Sequence, residues 1–514
     1  MPKLSLFAGA ALVAVMLAAA PQISVAKSKE AAGAKASDLA VFRALLDQGY
    51  EKARKGDFAG AAESVQSAVD SPAFPQMDAD ARFSTLYLLA MTELYSDQAQ
   101  KAYDHMLDAA RLSPDSRDGD YWLLLCDISL ALDKDEEATD ALTTVATTYP
   151  AALKGSSSDL VYRVTNAADR LKDDNMRYQR LLIALRAANW TPENPFWTAE
   201  DLWFDLFSIY AGKGDEARAR ELLAGFTEPG SIMKLQVEKR YAAFAPADTD
   251  AYPKALDHAL ETTRALAAAH PDRIQGPVAM AEQLMEINRL PEALKILDDA
   301  LAKIDAAPKD KPAFTDLDDY LNWTYDQQSR VLRLMGHGDD AVAALRKGRD
   351  TGSDGQVSQR INLADLLGEL GRPQDALAEV KDMTEEGSSP YGIMSAEEAR
   401  VCAYAQTSDK TGLDKSLTYM RAHADDGQAP LQSALLCVND LDGLAKSIIA
   451  QLDDPDQRSS ALSDLQTYLP EPALSVWAKT LQARRAELLA RADLKAAIAR
   501  YGVIRSYPIF RGNH

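Results

Sequence analysis

Apolar residues recur every three or four positions along most of the chain, in paired stretches that short polar turns separate. In residues 121–126 and 361–370, for example, this spacing places the apolar side chains on one face of a helix. The turns contain Gly, Asp or Asn, which are residues that end one helix and cap the next. The pattern predicts a succession of antiparallel pairs of amphipathic helices.

One repeated unit accounts for most of this pattern, and a small residue early in its second helix marks each copy. Only a very small side chain lets two helix backbones approach closely where they cross. A single helix pair cannot bury its apolar face, so neighbouring copies must stack. The sequence therefore predicts an all-α fold, an α-solenoid of about nine to eleven repeats with a C-terminal capping helix. The small residues are Ala61, Ala102, Ala138, Ala217, Ala293, Ala341 and Ala376, with weaker copies centred on Tyr178 and Ala255.

The copies resemble the tetratricopeptide repeat (TPR) family. The best copy has the family's large aromatic residue, leucine, small residue, later alanine, apolar pair and closing proline. These positions are Trp122, Leu125, Cys126, Ala138, Leu142, Val145 and Pro150. The resemblance covers about residues 38–455, with intervals that are mostly longer than the family's ~34 residues. It implies a binding protein for other proteins, in many cases in envelope assembly.

The first residues have the pattern of an export signal. A short basic start precedes an uncharged run over residues 4–20, and Ser24 and Ala26 supply the small residues of a cleavage site. We expect cleavage after about Ala26, followed by a flexible lead-in over residues 27–37. No cysteine follows the cleavage site directly, and no later run is apolar and long enough to span a bilayer. The sequence predicts an exported, periplasmic protein that is not a lipoprotein and has no transmembrane helix.

Composition divides the mature chain into segments. Residues 38–304 and 320–456 are predicted to be two TPR-like solenoid segments, joined by a long loop over residues 305–319 that is rich in Asp, Ala and Pro. Residues 457–514 are predicted to be a basic helical cap with an extended tail.

The C-terminal segment has its own charge. Residues 473–514 contain eight Lys and Arg against two acidic residues, although the whole chain carries −21. Residues 473–501 lack proline and are predicted to form one long helix whose cations face an acidic neighbour. The alternative is a contact with an acidic partner, a lipid headgroup or an envelope polymer. The apolar end, residues 503–510, is expected to dock against the protein.

Charge and motifs argue against several classes of function. A net charge of −21 disfavours a protein that binds the phosphate backbone of nucleic acids. The chain contains no HExxH, GxSxG or GxGxxG motif and no phosphate-binding loop, and its six histidines are scattered. We therefore expect no catalytic residues, no cofactor and no metal site.

The repeat register places one face of each first helix on the concave side of a solenoid. Aromatic and charged side chains on that face suit an extended peptide or protein segment. The predicted function is a non-catalytic periplasmic adaptor or scaffold that binds a protein or peptide in this groove. The candidate groove residues are Tyr50, Tyr87, Tyr95, Asp127, Glu282, Arg330, Arg333 and Asp365.

Aromatic residues are concentrated between residues 189 and 210. The favoured interpretation is an apolar helix face that closes a solenoid joint. An alternative is a platform for a glycan or peptide, formed by Trp190, Trp197 and Trp203. Two further alternatives are a glycan- or solute-binding module of an outer-membrane uptake system and an α/α-toroid enzyme that cleaves polysaccharides. In the enzyme, Asp201 and Asp205 would lie in the cleft with the tryptophans.

The three cysteines are few for an exported protein. Cys126 lies at the small-residue position of its repeat, which favours a buried packing role. Cys402 and Cys437 are about one repeat apart. Stacked helices lie about 8–10 Å apart, whereas a disulfide needs Cα atoms within about 7 Å. A disulfide between Cys402 and Cys437 is therefore an open alternative, and we expect three free thiols.

Overall fold

The computed structural model describes residues 35–171, 176–308, 310–351 and 357–511. The predicted signal peptide and most of the lead-in lie outside these residues. The described residues form 25 α-helices and no strand. The helices are α1 (Ala36–Arg54), α2 (Phe58–Val69), α3 (Ala79–Leu94), α4 (Ala99–Leu112), α5 (Gly119–Ala131), α6 (Asp135–Thr148), α7 (Ser158–Asp169), α8 (Met176–Ala187), α9 (Glu200–Gly212), α10 (Glu216–Leu223), α11 (Pro229–Val237), α12 (Ala251–Ala269), α13 (Gln275–Glu286), α14 (Leu290–Asp305), α15 (Leu317–Leu334), α16 (Gly338–Arg349), α17 (Val357–Glu369), α18 (Pro373–Val380), α19 (Pro390–Thr407), α20 (Lys410–Ala422), α21 (Gln428–Cys437), α22 (Leu441–Asp453), α23 (Arg458–Asp464), α24 (Val476–Ala490) and α25 (Ala492–Tyr501).

Consecutive helices pack as pairs, and the pairs pack on their neighbours. Helix α1 packs on α2, α3 on α4 and α17 on α18, and the first helices of adjacent pairs also touch, as α17 and α19 do. The predicted all-α array of TPR-like helix pairs is confirmed.

The turn inside a pair is built in the same way nine times. Each turn has one residue with positive φ, between 55° and 84°, two positions before the second helix begins. Gly adopts this conformation freely, while Asp and Asn tolerate it better than other residues. These residues are Gly56, Asp97, Asp133, Gly214, Asn288, Gly336, Gly371, Ser408 and Asn439.

The marker alanines are buried as predicted, with one exception. Six of the seven have no exposed surface, and each is the fourth residue of its helix. The prediction for Ala217 is wrong, because this residue is exposed. The completely buried fourth residue of α10 is Ala219. The helix begins later than expected because the Asp215 side chain caps it by accepting from the Arg218 amide at 3.3 Å. The six are Ala61, Ala102, Ala138, Ala293, Ala341 and Ala376.

The chain divides into two compact units, which we call the N-terminal unit (residues up to Tyr210) and the C-terminal unit (from Ala211). The predicted loop over residues 305–319 joins α14 to α15 within the C-terminal unit. Its Phe314 is buried, and the Lys303 ammonium lies 4.1 Å from the centre of the Phe314 ring. The loop is therefore anchored by an aromatic side chain that packs under α14.

The C-terminal unit closes on itself, because its last residues return to its first helices. Glu238, directly after α11, is 2% exposed and accepts a hydrogen bond from Ser459 of α23. The Val503 amide donates to the Val237 carbonyl at 2.9 Å, and Glu238 forms an antiparallel bridge with Gly502. Residues more than two hundred positions apart thus share one hydrogen-bonded seam.

The single long helix predicted over residues 473–501 is wrong. The structure has α24 and α25 instead, separated by Arg491, whose backbone is extended at φ −60° and ψ 139°. No Gly or Pro lies at the break, so tertiary contacts cause it: the guanidinium of Arg491 binds Asp442 at 2.7 Å and Asp493 at 2.9 Å.

The expectation of three free thiols is also wrong. Cys402 of α19 and Cys437 of α21 form a disulfide, with Cα atoms 5.1 Å apart. The two helices approach more closely than a typical stacked pair because small residues line them, including Ala399, Ala403 and Ala434, which are all buried. Cys126 is free and buried, as predicted.

Candidate functional site

In the N-terminal unit, polar side chains from three successive pairs meet. We call the face formed by the first helices α1, α3, α5 and α7 the first-helix surface. Arg163 of α7 donates to Asp127 of α5 at 3.0 Å and lies 3.7 Å from Asp159. Burial raises the pKa of Asp127, although Arg163 lowers it. Tyr95 of α3 lies beside this pair, and burial together with the Asp127 charge raises the pKa of its phenol.

The three predicted tyrosines lie on, or at the end of, first helices of this unit. Tyr50 and Tyr95 are half-buried, and burial raises the pKa of both. Among the described residues, neither hydroxyl has a hydrogen-bond partner, whereas the Tyr87 hydroxyl donates to the Asp120 carbonyl at 3.4 Å. The Tyr87 ring is stacked parallel to that of Phe83. Of the predicted residues, Tyr87, Tyr95 and Asp127 therefore lie near one another, and their role as one binding surface stays a prediction.

Arg163 is the functional residue that the sequence analysis missed in this unit. It lies 36 positions after Asp127, which is about one repeat. Two opposite charges separated by one repeat were the sequence feature that could have indicated this ion pair. Because Arg163 holds Asp127 in place, the surface presents a fixed carboxylate with a cation behind it. Beside it are phenol groups that are free to donate or accept. Such a surface is suited to hydrogen-bonding rather than to acid–base or nucleophilic chemistry.

The structure does not bring the three tryptophans together as a platform. Trp190 is only 5% exposed, so its face is closed to a ligand, whereas Trp197 is 44% exposed. Both pack edge-on against Tyr162, with ring centres 5.7 and 6.2 Å away. Trp203 instead packs against the Arg186 guanidinium, 5.4 Å from its ring centre. The interpretation of an apolar joint fits Trp190 better than a ligand platform does.

Asp201 and Asp205, the acids proposed for a polysaccharide-cleaving cleft, both lie near the Tyr178 side chain. The Tyr178 hydroxyl donates to Asp205 at 2.6 Å. The negative charges of Asp205 and Asp201 raise the pKa of Tyr178, although burial contributes more. Asp205 thus serves to tie α8 to α9.

In the C-terminal unit, Arg330 belongs to a network between first helices. It donates to Asp326, one turn earlier on α15, at 2.8 Å. Asn362 of α17 donates to the other oxygen of Asp326 at 2.7 Å. Asp326 is 3% exposed, so Arg330 helps to neutralise a buried carboxylate that joins α15 to α17.

Arg333 was predicted as a groove cation, but it is bound on both sides by carboxylates. It donates to Glu369 of α17 at 2.7 Å and to Glu471 at 2.6 Å. Glu471 lies in the connection between α23 and α24, far along the chain. The prediction of an accessible Arg333 is wrong because the C-terminal segment covers it, which a repeat register cannot reveal.

The two predicted acids of this unit have different environments. Glu282 is exposed on α13 and contributes, after burial, to raising the pKa of Glu286 to about 7. Asp365 of α17 is also exposed, and its charge adds to the burial that raises the pKa of Glu398 on α19. A hydrogen bond from Ser433 partly offsets this shift. Polar side chains thus join successive first helices of this unit, and α15 and α17 share two such contacts, Asn362 with Asp326 and Arg333 with Glu369.

A small cavity lies between the first helices and the C-terminal segment, and both apolar and charged side chains line it. Its wall combines groups from α13 and α15 with groups from the last sixty residues. The lining residues are Met285, Glu286, Arg330, Arg333, Leu334, Glu471, Phe510 and Arg511.

The basic residues of the C-terminal segment are used within the unit. Arg484 donates to the Cys437 carbonyl at 2.6 Å, and Arg485 to the Asp464 carbonyl at 2.9 Å. Carboxylates lie within 3.3 Å of Arg491, Arg500 and Arg511, and Arg505 donates to the Gln236 carbonyl. The predicted acidic neighbour is found for Arg491 and Arg500, whereas Arg484 and Arg485 donate to main-chain carbonyls instead.

The described residues contain neither a metal-binding cluster nor a helix that could cross a membrane. Residues 35–511, apart from the gaps given above, contain no group of three or more His, Cys, Asp or Glu side chains placed to hold a metal ion. Within the same part of the chain, no helix has the length and apolarity needed to cross a bilayer.

No protein-family model matches the chain, and no curated protein matches it. Three solved structures are similar to it at 12% identity. A tetratricopeptide repeat protein from Parabacteroides merdae matches 68% of this chain with 95% of its own, at a TM-score of 0.30. The quorum sensor NprR from B. thuringiensis matches 81% with 95% of its own at 0.36, and yeast Tom70 matches 89% with 98% of its own at 0.30.

TM-scores this low carry no conclusion about what the chain binds or where it works. The assignment depends instead on the chain's own helix pairs, its recurring left-handed turns and its buried alanines. On those features, the chain is a TPR-like helical-repeat protein.

Proposed function

We propose that the protein is a non-catalytic, exported adaptor or scaffold. The first-helix surface of its N-terminal unit binds an extended segment of a protein partner. The observation that carries this proposal is the row of polar groups on successive first helices. Tyr50 lies on α1, Tyr95 directly follows α3, Asp127 lies on α5 and Arg163 on α7. Two of these groups are half-buried hydroxyls that lack a protein partner among the described residues.

An extended peptide offers the groups that such a row can bind. Its backbone presents an amide and a carbonyl about every 3.3 Å, all of which need hydrogen bonds when a surface covers them. Phenol hydroxyls can donate to the peptide carbonyls, and the fixed Asp127 carboxylate can accept from an amide or a basic side chain. Each hydrogen bond that such a hydroxyl forms with a partner typically contributes about 0.5–1.5 kcal/mol.

Two observations support export. The first residues have the composition of a cleavable signal. The disulfide between Cys402 and Cys437 also belongs to the kind of bond that persists in oxidising compartments and is rare in the cytosol. Such an adaptor would work in the assembly of envelope proteins.

The test is quantitative capture of partners from the organism's own envelope fraction by the mature protein. Tyr95→Phe removes only the free hydroxyl, and Asp127→Asn removes the charge while keeping the shape. Together they are expected to weaken capture about tenfold or more. The matched control is Tyr103→Phe, which removes a hydroxyl bonded to Glu137 at 2.8 Å on the second helices.

The proposal fails if the double variant captures the same partner as strongly as the native protein and the control. Loss of capture with Trp197→Ala alone would instead favour the glycan-binding alternative, because Trp197 is the exposed member of the aromatic cluster.

A further inference from the structure

The last residues of the chain lie against the C-terminal unit as an extended peptide. The Thr467 amide donates to the Arg505 carbonyl at 3.0 Å, and the Tyr507 amide returns a bond to the Thr467 carbonyl at 2.9 Å. The Leu469 amide donates to the Ile509 carbonyl at 2.8 Å. These bonds join main-chain groups only, so they hold the segment whatever its sequence.

Side chains give the segment its specificity. Tyr507, Ile509 and Phe510 are buried. Tyr507 and Ile509 have the two-residue spacing of one face of an extended peptide, and Phe510 points to the opposite face. The Tyr507 ring meets Tyr252 of α12 edge-on, with ring centres 4.5 Å apart. Phe510 completes a core with Leu284 of α13.

The final contact reaches a first helix directly. The Phe510 amide donates to the Glu286 carbonyl, at the end of α13, at 3.0 Å. Arg511 lines the same small cavity as Arg330 and Arg333, which the repeat register assigns to the groove. The segment therefore occupies positions where a TPR-like unit would meet a peptide.

The rest of the C-terminal segment is held by other contacts. Helix α25 buries Leu494 and Ile498, and Arg491 ties its start to Asp442 of α22. Between α25 and the tail, Val503 and Ile504 are 39% and 47% exposed. The tail can thus leave without removing the helices before it.

We propose that residues 505–511 are a built-in peptide ligand of the C-terminal unit, which keeps its groove closed until an extended segment of the same chemistry displaces them. That chemistry is an aromatic residue, an aliphatic residue two positions later, and an aromatic residue followed by arginine. The inference rests on the proposed function, since it extends peptide binding by first helices to the second unit. While tethered, the tail competes at an effective concentration of about millimolar.

The experiment uses the full mature chain with a protease recognition sequence inserted between Val503 and Ile504. After cleavage, a fluorescein-labelled peptide of residues 504–511 is titrated into the protein, and binding is followed by anisotropy. The matched peptide carries Phe510→Ala, and the uncleaved protein is the control for tethering. Circular dichroism before and after cleavage reports whether the unit stays folded.

We expect the labelled peptide to exchange into the cleaved protein, the Phe510→Ala peptide to bind at least about tenfold more weakly, and the uncleaved protein to bind little. Unfolding on cleavage would overturn the inference, because the tail would then be part of the fold. Equal binding of the two peptides, or none by a folded cleaved protein, would also overturn it. Partner capture that depends on Tyr95 and Asp127 tests the other unit, so the two proposals can fail separately.

Discussion

Replacing two alanines of one helix, α10, separates packing from every other effect of the substitution. Ala219 is completely buried at the marker position, whereas Ala217, two residues earlier, is exposed. Leucine is nearly as good a helix former as alanine, so Ala217→Leu should change the free energy of unfolding by less than about 0.5 kcal/mol. Ala219→Leu places three more carbon atoms where no surface is accessible and should push the paired helices apart.

Overpacking of this kind typically costs about 1–3 kcal/mol. Chemical denaturation of both variants and the native protein, followed by circular dichroism, measures the difference. We expect a lower midpoint for Ala219→Leu at an unchanged slope, which indicates lost stability with the same surface exposed on unfolding. Equal midpoints for the two variants, or a lower midpoint for Ala217→Leu alone, would refute the reasoning that the marker residue sets the helix spacing.

Two further predictions concern covalent and titratable contacts. Unfolded, unreduced protein should react as one free thiol, from Cys126, and reduction should reveal three while lowering the free energy of unfolding by about 2–4 kcal/mol. Three thiols before reduction would contradict the bridge. His105 donates a hydrogen bond to the carboxylate of Glu93, which is only 3% exposed, and this bond raises the pKa of His105 above 6.5. The bond should therefore contribute about 1–2 kcal/mol below pH 6.5 and lose it as the pH rises through the folded pKa. His105→Ala should flatten this dependence in pH-resolved denaturation, and an unchanged slope would count against it.

The features that could be predicted from the sequence are those that depend on neighbouring residues. Turns, caps and small residues act within one helix pair, so the spacing of apolar residues was sufficient to identify the array. The error at Ala217 shows how precisely the sequence locates the buried alanine of a repeat. Gly214 has positive φ, and a buried alanine follows such a residue by five positions here as in six other repeats. The turn residue, rather than the first alanine, is the better marker.

The features that could not be predicted depend on residues far apart in the chain. Arg333 has the register of a groove residue, but Glu471, 138 positions later, binds it. The break at Arg491 and the disulfide likewise follow from how other helices pack. Within the N-terminal unit, Tyr95 and Asp127 lie close together.

The most direct measurement of the central claim is photo-crosslinking from the first-helix surface of the N-terminal unit. A benzophenone amino acid replaces Tyr95 in one variant and Tyr103, on the second helices, in the other, and each protein is irradiated in its own envelope. The account predicts that position 95 labels one contiguous segment of an exported protein, and that position 103 does not label it. Equal labelling from both positions, or labelling of that segment from position 103 alone, would contradict binding at this surface.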